Sequence, residues 1–349
     1  MTSEEKSEEK SVRIGVIGAG WIGREHIRRL TDVIVGARVT AVTDIDAERA
    51  AEAARYPGAA VHADGASLVA SEDVDAVLVT SWGPTHAEHV LNAVAAGKPV
   101  FCEKPLATTP EDCLKIVEAE RAHGGRLVQV GFMRRFDQGY RQMKEVIDAG
   151  RIGTPLMVHC AHRNASSVEA YTSDMAALDT AVHEIDVLRW LLDDEIVSAQ
   201  VIVPRSTTRK HAHLTDPQFM LFETARGVRI DLEVFVNCRY GYDIQCETVG
   251  EDGLVRLPDP AAVGVRTAGA HSTAILPDWT GRFADAFDTE FREWVADLAA
   301  GRAPTGPSAW DGYAATVISG AAVESRASGR VVTTDIPKRP DFYAADGRP

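Results

Sequence analysis

The glycine-rich segment near the start of the chain constrains the fold more than any other feature. An apolar run suited to a buried strand, "VRIGVIG", leads into Gly18, Gly20 and Gly23, and a helical pattern follows. In that context the first glycine permits a tight turn, the second lets the backbone approach a pyrophosphate, and the third lets helix and strand pack closely. A glycine-rich turn without a ligand is the alternative. The segment predicts a dinucleotide-binding turn with the phosphate at the helix N-terminus.

Asp44 follows the next predicted strand, in "RVTAVTDID". A carboxylate at this point accepts hydrogen bonds from the adenosine ribose hydroxyls and repels a 2′-phosphate, so NAD is favoured over NADP. Arg49, one helical turn onward, would soften that preference. Asp46 is interpreted as a helix N-cap rather than a second ribose ligand.

Apolar runs typical of buried parallel strands alternate with helical patterns from Val12 to Gly131. The strand-like runs are "VRIGVIG", "RVTAVTD", "DAVLVTS", "PVFCE" and "RLVQVG". Glycines close the helical patterns "HAEHVLNAVAAG" and "PEDCLKIVEAERAHGG". This alternation predicts an α/β fold that begins with a Rossmann domain, a doubly wound parallel sheet, over residues 12–131.

Strand-like stretches follow one another with few helices between them after residue 155. They are "LMVHCAH", "VSAQVIV", "QFMLFET", "VRIDLEVFVNC" and "YDIQCETVG". They predict a C-terminal α+β domain with an open, mostly antiparallel sheet over residues 132–337. We expect one sheet face to pack on helices and the other to meet a partner subunit. The amphipathic segments "RFADAFDTEFREWVADLAAG" and "WDGYAATVISGAAVESRASG" are expected to be helices that pack back on the first domain.

Charge and cysteine content argue against several classes of function. A formal net charge of -14 over 349 residues, with no basic run, opposes binding to nucleic acid or to an anionic membrane surface. The five cysteines are scattered, which argues against a disulfide framework and favours a reducing cytoplasm. Residues 1–11 lack the apolar core of a signal peptide and are expected to form a disordered tail, and residues 338–349 a second tail.

Lys104 lies in "FCEKPLA", at the carboxyl end of a predicted parallel strand, where ligands bind in doubly wound sheets. Pro105 holds the preceding residue extended and so fixes the direction of the lysine. The amine would donate hydrogen bonds to a substrate hydroxyl and stabilise alkoxide character during hydride removal. A surface lysine that extends into solvent is the alternative, and position alone does not separate the two.

A helix with one buried stripe is predicted over "LDTAVHEIDVLRWLL". The stripe consists of Val182, Ile185, Leu188 and Leu192. Asp179 and His183 are four residues apart and share one helical face, which suits a base oriented by a carboxylate. An ion pair on a solvated helix surface is the alternative. A metal site is less favoured, because the two side chains have no identified third ligand.

Longer motifs resemble a known family. "AAGKPVFCEKPLA" after a Rossmann turn is similar to the glucose–fructose oxidoreductase/inositol dehydrogenase/rhizopine-catabolism (Gfo/Idh/MocA) family. The resemblance extends to its inositol dehydrogenases through "VTSWGPTHAEHV", "VQVGFMRRFDQGY", "VHCAHRN", "DTAVHEIDVLRWL", "VNCRYGYDIQCETVGEDG" and "GPSAWDGY". It covers most of the chain from Val12 to Gly312. It implies an NAD-dependent oxidation of myo-inositol to scyllo-inosose by a homotetramer.

The resemblance also implies roles for individual residues. Lys104, Asp179 and His183 would form the catalytic group: His183 accepts the hydroxyl proton, Asp179 orients the imidazole or the substrate, and Lys104 steadies the oxygen. The implied substrate contacts are Lys104, Met133, Arg134, His162, Asn164, Asp179, His183 and Tyr242. The predicted cofactor contacts are Gly18, Gly20, Trp21, Ile22, Gly23, Asp44, Thr80, Ser81, Glu103 and Lys104.

Several of these residues also have a plain structural interpretation. His162 at a strand end would be a satisfied structural histidine, Arg134 a phosphate or surface arginine, and Met133 a packing residue. Trp21, beside the pyrophosphate path, and Ile45, after the ribose acid, depart from the family pattern and leave the strictness of the NAD preference open. Another cyclic polyol or a sugar as substrate, and a non-catalytic dinucleotide-sensing regulator, are the alternative functions.

Overall fold

The computed structural model describes residues 11–260 and 262–344. The described residues form two compact units. The first comprises residues 11–131, Asp288–Tyr313 and 339–344, and the second comprises Phe132–Phe287 and Ala314–Lys338. The tail expected over residues 1–11 lies, except for Ser11, outside the described residues.

The first unit is built around a parallel sheet. Its strands are β1 (Val12–Ile17), β2 (Ala37–Thr43), β3 (Ala60–Val61), β4 (Ala76–Val79), β5 (Val100–Glu103) and β6 (Val128–Gly131). They lie in the order β3-β2-β1-β4-β5-β6 and pair in parallel, which is the topology of a doubly wound dinucleotide-binding sheet. The predicted Rossmann fold is confirmed. β3 has too short an apolar run to be predicted.

Helices cover this sheet, and its central strands are buried. The helices are α1 (Trp21–Asp32), α2 (Ala47–Arg55), α3 (Gly65–Ala70), α4 (His86–Ala95) and α5 (Pro110–His123). All four residues of β4 and of β5 are buried, as expected of parallel strands covered on both faces. Phe101 of β5 stacks on Phe291 with 4.5 Å between ring centroids, and Trp294 meets it edge-on at 5.5 Å. Residues 288–299 thereby contribute to this core.

The second unit contains a mixed sheet. Its strands are β7 (Pro155–Arg163), β8 (Ile196–Ile202), β9 (Gln218–Thr224), β10 (Arg229–Phe235), β11 (Asp243–Gly250), β12 (Leu254–Arg256) and β15 (Val332–Thr333). The order is β12-β11-β7-β10-β9-β8-β15; β7 and β10 pair in parallel and the other neighbours pair antiparallel, which confirms the predicted open sheet. Every second residue of β9 and of β10 is buried, so one face of these strands is covered. An exposed hairpin, β13 (Gly264–Thr267) and β14 (Ala270–Thr273), completes the strands described.

The remaining helices belong to the second unit or to both. α6 (Gln138–Asp148) and α7 (Val182–Leu192) lie within the second unit, and α8 (Trp279–Ala299) and α9 (Ala309–Ser328) contribute residues to both. The sequence pattern predicts one buried stripe, but α7 is buried on almost every side. The physical reason is that its buried carboxylates, Glu184 and Asp186, form ion pairs that allow them to leave water.

Part of the predicted C-terminal tail is anchored. Residues Asp341–Tyr343 form a 3-10 turn, and the Tyr343 ring is 1 % exposed. Its hydroxyl donates to Oε2 of the buried residue Glu120 at 2.6 Å. This hydrogen bond anchors the segment. Residues 345–349 lie outside the described residues. Within the described part of the chain, no helix has the length and apolar content needed to cross a membrane.

Candidate active site

The turn between β1 and α1 has the shape that the glycine pattern predicts. Gly18 has φ +99°, and a Cβ there would lie 2.5 Å from the backbone nitrogen of Ser81. A Cβ on Gly23 would lie 2.1 Å from the carbonyl oxygen of Gly18. Larger residues are therefore excluded by backbone atoms, which do not move aside as a flexible side chain would. The two glycines let α1 begin directly against the end of the sheet.

The N-terminus of α1 is open at Gly20. A Cβ built on Gly20 has nothing within 4 Å among the described residues, and none of their side chains caps this helix end. The first backbone N–H groups of a helix lack intrahelical partners and carry the positive end of its dipole. This position therefore has both the room and the donors that a pyrophosphate requires. Trp21 beside it is 51 % exposed.

Thr80, directly after β4, supports the glycine turn, and the backbone of Ser81 lies beside it. The Thr80 hydroxyl donates to the carbonyl oxygen of Gly18 at 2.6 Å, and the Thr80 amide donates to Ile17 O at 2.8 Å. Ser81 Oγ lies 2.8 Å from Thr85 Oγ1. Thr80 is 5 % exposed, so its visible role is to hold the turn. The direct cofactor contact expected of each residue stays a prediction.

Asp44 is fixed at the end of β2 by backbone donors. Its Oδ2 accepts from the Ala19 amide at 2.7 Å and its Oδ1 from the Asp46 amide at 2.9 Å. Oδ1 also accepts from Arg49 Nη1 at 3.4 Å, so Oδ2 is the oxygen that keeps a lone pair for a ribose hydroxyl. Asp46 caps α2, as predicted, by accepting from the amides of Glu48 and Arg49 at 3.1 Å.

Glu103, at the end of β5, belongs to a buried hydrogen-bond network that the sequence analysis did not predict. Its Oε1 lies 2.7 Å from His26 Nε2, and its Oε2 accepts from the Lys104 amide at 3.1 Å. Arg29 Nη1 donates to His26 Nδ1 at 2.8 Å, and Arg29 Nε donates to Asp288 at 2.6 Å. Because arginine only donates, His26 carries its proton on Nε2 and donates it to Glu103.

The network sets the ionisation of its members. Burial lowers the pKa of His26, which therefore stays neutral. Burial opposes ionisation of Glu103, but the His26 hydrogen bond and the charge of Lys104 more than offset it, so the Glu103 pKa is lowered. A carboxylate thus lies directly beneath half-buried Lys104. His26 and Arg29 are three residues apart on α1, so they share one face of the helix. This spacing is the sequence signal that could have indicated a buried polar pair.

In the second unit, Asp179 and His183 lie on consecutive but different helical segments. Asp179 is in a π-helical turn, Ala176–Ala181, and His183 follows in α7. The single regular helix predicted over both residues is therefore wrong at its first turn, where the backbone takes the wider i→i+5 pattern that recurs at functional sites. Both side chains are half-buried, unlike an ion pair on a solvated helix.

Arg134 is not a surface residue. It lies in a 3-10 turn, Met133–Phe136, is 1 % exposed, and pairs through Nη1 with Oε1 of Glu184. Its Nη2 lies 3.1 Å from Nδ1 of His162, at the end of β7. Glu184 Oε2 is 3.0 Å from the same ring nitrogen. His162 and Arg134 thereby meet around one buried carboxylate, which the sequence analysis missed.

Other expected substrate contacts gather near His162 within the second unit. The His162 ring lies 6.5 Å from the His183 ring and 5.8 Å, edge-on, from Tyr242. Burial raises the pKa of Tyr242 to about 12, so its hydroxyl stays protonated. Asn164 follows β7, and its buried Oδ1 has no hydrogen-bond partner among the described residues. A buried amide oxygen left unpaired is costly unless a ligand donates to it. Met133 is buried.

No cluster of three or more His, Cys, Asp or Glu side chains in residues 11–260 and 262–344 is arranged to hold a metal ion. The groups that converge in each unit are instead hydrogen-bond donors and acceptors. They suit a dinucleotide in the first unit and hydroxyl groups in the second.

Comparison with known proteins gives a family match over most of the chain. The model for the oxidoreductase family with an NAD-binding Rossmann fold (Gfo/Idh/MocA) matches residues 12–132, and the model for the C-terminal alpha/beta domain of that family matches residues 144–334. Inositol 2-dehydrogenase 3 of Saccharopolyspora erythraea is 66 % identical over 338 residues, which are 97 % of this chain and 100 % of that protein.

Solved structures are similar as well. Myo-inositol dehydrogenase from Lactobacillus casei, in complex with NAD(H) and myo-inositol, superposes with a TM-score of 0.94 at 42 % identity, over 95 % of this chain and 99 % of that one. Scyllo-inositol dehydrogenase from the same organism, with bound NAD(H) and scyllo-inositol, gives a TM-score of 0.84 at 26 % identity, over 93 % of this chain and 99 % of that one.

Proposed function

The chain belongs to the Gfo/Idh/MocA oxidoreductase family, and we propose that it catalyses the NAD-dependent oxidation of myo-inositol to scyllo-inosose. The observation that carries this proposal is the 66 % identity, along essentially the full length of both chains, to a protein named inositol 2-dehydrogenase 3. Its chemistry is that of an NAD-dependent polyol dehydrogenase.

The first unit fits NAD. Gly18 and Gly23 leave a backbone-lined turn, Gly20 leaves open space at the N-terminus of α1, and Oδ2 of Asp44 keeps a lone pair for the adenosine ribose. When bound, NAD supplies the hydride acceptor at C4 of its nicotinamide. Glu103 holds the backbone of Lys104 at the carboxyl end of β5, where ligands bind in this fold.

We assign the proton chemistry to three residues. His183 accepts the hydroxyl proton of the substrate carbon that is oxidised, and Asp179 orients the imidazole and favours the imidazolium that results. Lys104 donates to the same oxygen and stabilises its alkoxide character. The π-helical turn around Asp179 supports this assignment, because such turns recur at functional sites.

The remaining hydroxyls of the ring are proposed to meet the second unit. Asn164 supplies an amide whose buried oxygen has no hydrogen-bond donor among the described residues, and Tyr242 supplies a protonated hydroxyl. His162 supplies a ring nitrogen, Arg134 holds that ring, and Met133 is a buried residue next to Arg134 in the chain. Paired polar groups of this kind discriminate strongly against a substrate that lacks a matching hydroxyl.

A second candidate is the oxidation of another cyclic polyol. The structural similarity to an enzyme that binds scyllo-inositol favours it, because the hydride and proton chemistry is the same for each isomer. The loop "ASSVEAYTSDM", immediately before the π-helical turn, is the segment of this chain where we expect isomer preference to be set.

We propose a homotetramer assembled through the uncovered face of the second sheet. A depression of about 310 Å³ on this face is lined by Met157, Leu221 and Asp231 among others, and Met157 is 42 % exposed. Apolar residues on an open sheet face are typically covered by a partner. Light scattering on the protein as it elutes from a size-exclusion column would give its mass, and a monomer would contradict the assembly.

We also propose a cytoplasmic location, which the five free cysteines support.

The function is tested with a panel of substrates. The purified protein and NAD are mixed with one substrate at a time: myo-inositol, scyllo-inositol, chiro-inositol or an aldose. The rate is followed by the absorbance of NADH. We expect the highest kcat/KM with myo-inositol. A preference of tenfold or more for an aldose would overturn the proposal, and preference for another inositol would move it to the second candidate.

A further inference from the structure

Tyr171 connects the loop before the π-helical turn to the turn itself. Its hydroxyl lies 2.6 Å from Oγ1 of Thr180, which is nine residues further along the chain and next to Asp179. Tyr171 is 6 % exposed and Thr180 is 4 % exposed, so solvent has little access to this hydrogen bond. Removing one of the two hydroxyls would leave the other buried without its partner, which is a costly arrangement.

The backbone of Tyr171 is fixed as well. Its N–H donates to Val168 O at 3.0 Å, and its carbonyl oxygen lies 2.9 Å from Nε2 of His213. A carbonyl only accepts, so His213 donates this bond. The His213 ring stacks on His211 with 5.9 Å between centroids, and Nε2 of His211 lies 3.0 Å from Ser167 O in the same loop. The N–H, the carbonyl and the hydroxyl of Tyr171 are therefore all hydrogen-bonded.

A second set of contacts holds the end of the loop. Ser173 Oγ accepts from the Thr215 amide at 2.8 Å, and Ser173 O accepts from Nε2 of Gln218 at 2.7 Å. Gln218 begins β9 and is 2 % exposed. Asp174 pairs with Arg326 of α9 at 2.6 Å. The loop is thus tied to the strand and the helix beside it, which gives Tyr171 a fixed point from which to hold the π-helical turn.

Thr180 is the polar side chain through which the turn can be held. Of the four buried residues that the structure describes in Ala176–Ala181, three are alanines, and Thr180 alone carries a side-chain hydrogen-bonding group. A π-helical turn is rare and occurs mostly as a single turn within an α-helix. Contacts from outside the helix are therefore needed to keep this turn, and Tyr171 supplies one.

The Tyr171 hydroxyl also senses the charge of Asp179. Burial raises the pKa of Tyr171 above its usual range, the Thr180 hydrogen bond opposes this rise, and the charges of Asp179 and Asp216 add to it. The hydroxyl therefore keeps its proton at neutral pH. It is a neutral hydrogen-bonding group in the neighbourhood of the carboxylate.

We propose that Tyr171 is a positioning residue that fixes the π-helical turn through Thr180 and so sets the place of the Asp179 carboxylate. The catalytic part of this statement rests on the proposed function, in which Asp179 orients His183. Tyr171 acts on the chemical step through Asp179 and does not act on the cofactor. The predicted cofactor contacts all lie in the first unit, so NADH affinity is independent of Tyr171.

The first test needs neither NAD nor a polyol. Tyr171→Phe removes one oxygen and keeps the ring, and hydrogen exchange followed by mass spectrometry measures local opening of a peptide that covers residues 176–181. We expect exchange in this peptide to be roughly three- to tenfold faster, the scale for losing one hydrogen bond. Unchanged exchange would overturn the proposal. This result is obtained even if the proposed reaction is wrong.

The second test asks whether Tyr171 acts through Asp179. With myo-inositol, Tyr171→Phe should lower kcat roughly 10- to 100-fold, the scale for a misplaced catalytic group, while the Kd for NADH is unchanged. In an Asp179→Asn background, Tyr171→Phe should cause little further loss, because residues that act as a unit are not additive. An unaltered kcat, or an equal loss in both backgrounds, would overturn the proposal.

The other end of the hydrogen bond gives the same information if Tyr171→Phe does not fold. Thr180→Val removes the hydroxyl and keeps the shape of the side chain, whereas Thr180→Ser keeps the hydroxyl. We expect the valine variant to lose kcat and to open faster, and the serine variant to retain most of both properties. Equal losses in the two variants would show that the methyl group matters and not the hydrogen bond, which contradicts the proposal.

Tyr343→Phe is the matched control. Tyr343 is also a buried tyrosine, and its hydroxyl makes a hydrogen bond of the same 2.6 Å length, to Glu120 in the first unit. We expect this variant to leave kcat and the exchange of residues 176–181 unchanged. Equal effects of Tyr171→Phe and Tyr343→Phe on both quantities would reduce Tyr171 to a general structural role and would contradict the proposal.

Discussion

Gly18 in the first unit and Arg134 in the second show two ways of fixing a candidate site. Around Gly18, the walls are backbone atoms: Ser81 N and Gly18 O set the distances that exclude a Cβ. Around Arg134, the walls are buried charged side chains, and Glu184 joins residues that are 50 and 22 positions away in the sequence. A backbone site tolerates change in its surroundings, whereas a buried charge network fails when one partner is lost.

The largest expected effect separates the chemistry from cofactor binding. His183→Ala should lower kcat roughly 10²- to 10⁴-fold, the scale for losing a positioned base, while NADH affinity changes little because the turn at Gly18 is untouched. Steady-state rates and NADH fluorescence titration measure the two quantities. Lys104→Met is the companion variant and should also lower kcat. An unaltered rate in His183→Ala would remove it as the base.

The next effect divides the glycines of the first unit. Gly20→Ala places its Cβ in open space, so folding should be unaffected, but the methyl group would obstruct the pyrophosphate and raise the Kd for NAD about tenfold, or ~1.4 kcal/mol. Gly23→Ala places its Cβ against Gly18 O and should cost about 1–3 kcal/mol of stability. Thermal melts and titrations measure both. Loss of stability in Gly20→Ala with normal NAD binding would contradict this division.

A smaller effect concerns the choice of cofactor. Asp44→Ser should bring kcat/KM with NADP closer to that with NAD, by roughly tenfold, because the carboxylate that repels the 2′-phosphate is removed. Asp46→Ser is the matched control: it lies two residues away, and serine preserves the N-cap of α2. The control should keep the NAD preference. If NADP remained unused by Asp44→Ser, another residue would enforce the preference.

The smallest effect compares a buried carboxylate of each unit as pH changes. Burial raises the pKa of Glu120, so the folded state holds its proton more tightly than the unfolded chain, and its contribution to stability is lost as pH rises above about 4.5. The pKa of Glu184 is lowered, so its contribution is present at neutral pH and is lost as pH falls below that value.

Glu120→Gln and Glu184→Gln should therefore shift stability in opposite directions. Relative to the unmodified protein, Glu120→Gln should gain on the order of 1 kcal/mol between pH 4 and pH 7, whereas Glu184→Gln should lose most at pH 7. Thermal midpoints at four pH values measure both. Parallel pH profiles for the two variants would show that the two carboxylates do not differ as described.

Much of the first unit was predictable from sequence because its signals are local. A strand, three spaced glycines and an acid after the next strand lie within 33 residues, from Val12 to Asp44, and each has a backbone reason to be there. Long apolar runs likewise predicted β4 and β5. The network of His26, Arg29 and Asp288 was not predictable, since Arg29 and Asp288 are 259 positions apart.

The second unit was predicted in outline and not in its contacts. Alternation in "RIDLEVFV" predicted a strand with one covered face, which β10 has. The helix pattern around His183 predicted one buried stripe, yet ion pairs allow α7 to be buried nearly all round. The π-helical turn at Asp179 also escaped prediction, because apolar spacing does not distinguish i→i+4 from i→i+5 bonding over a single turn.

The sequence by itself determined the NAD-binding topology, the family and the residues proposed for catalysis, because these depend on motifs in which neighbouring residues act together. Only the tertiary structure decided how the polar residues are paired. Arg134 is a buried partner of Glu184, and Glu103 is the acceptor of His26. Burial removes water from these groups, so each must be paired with a residue that the fold places beside it, however distant in sequence.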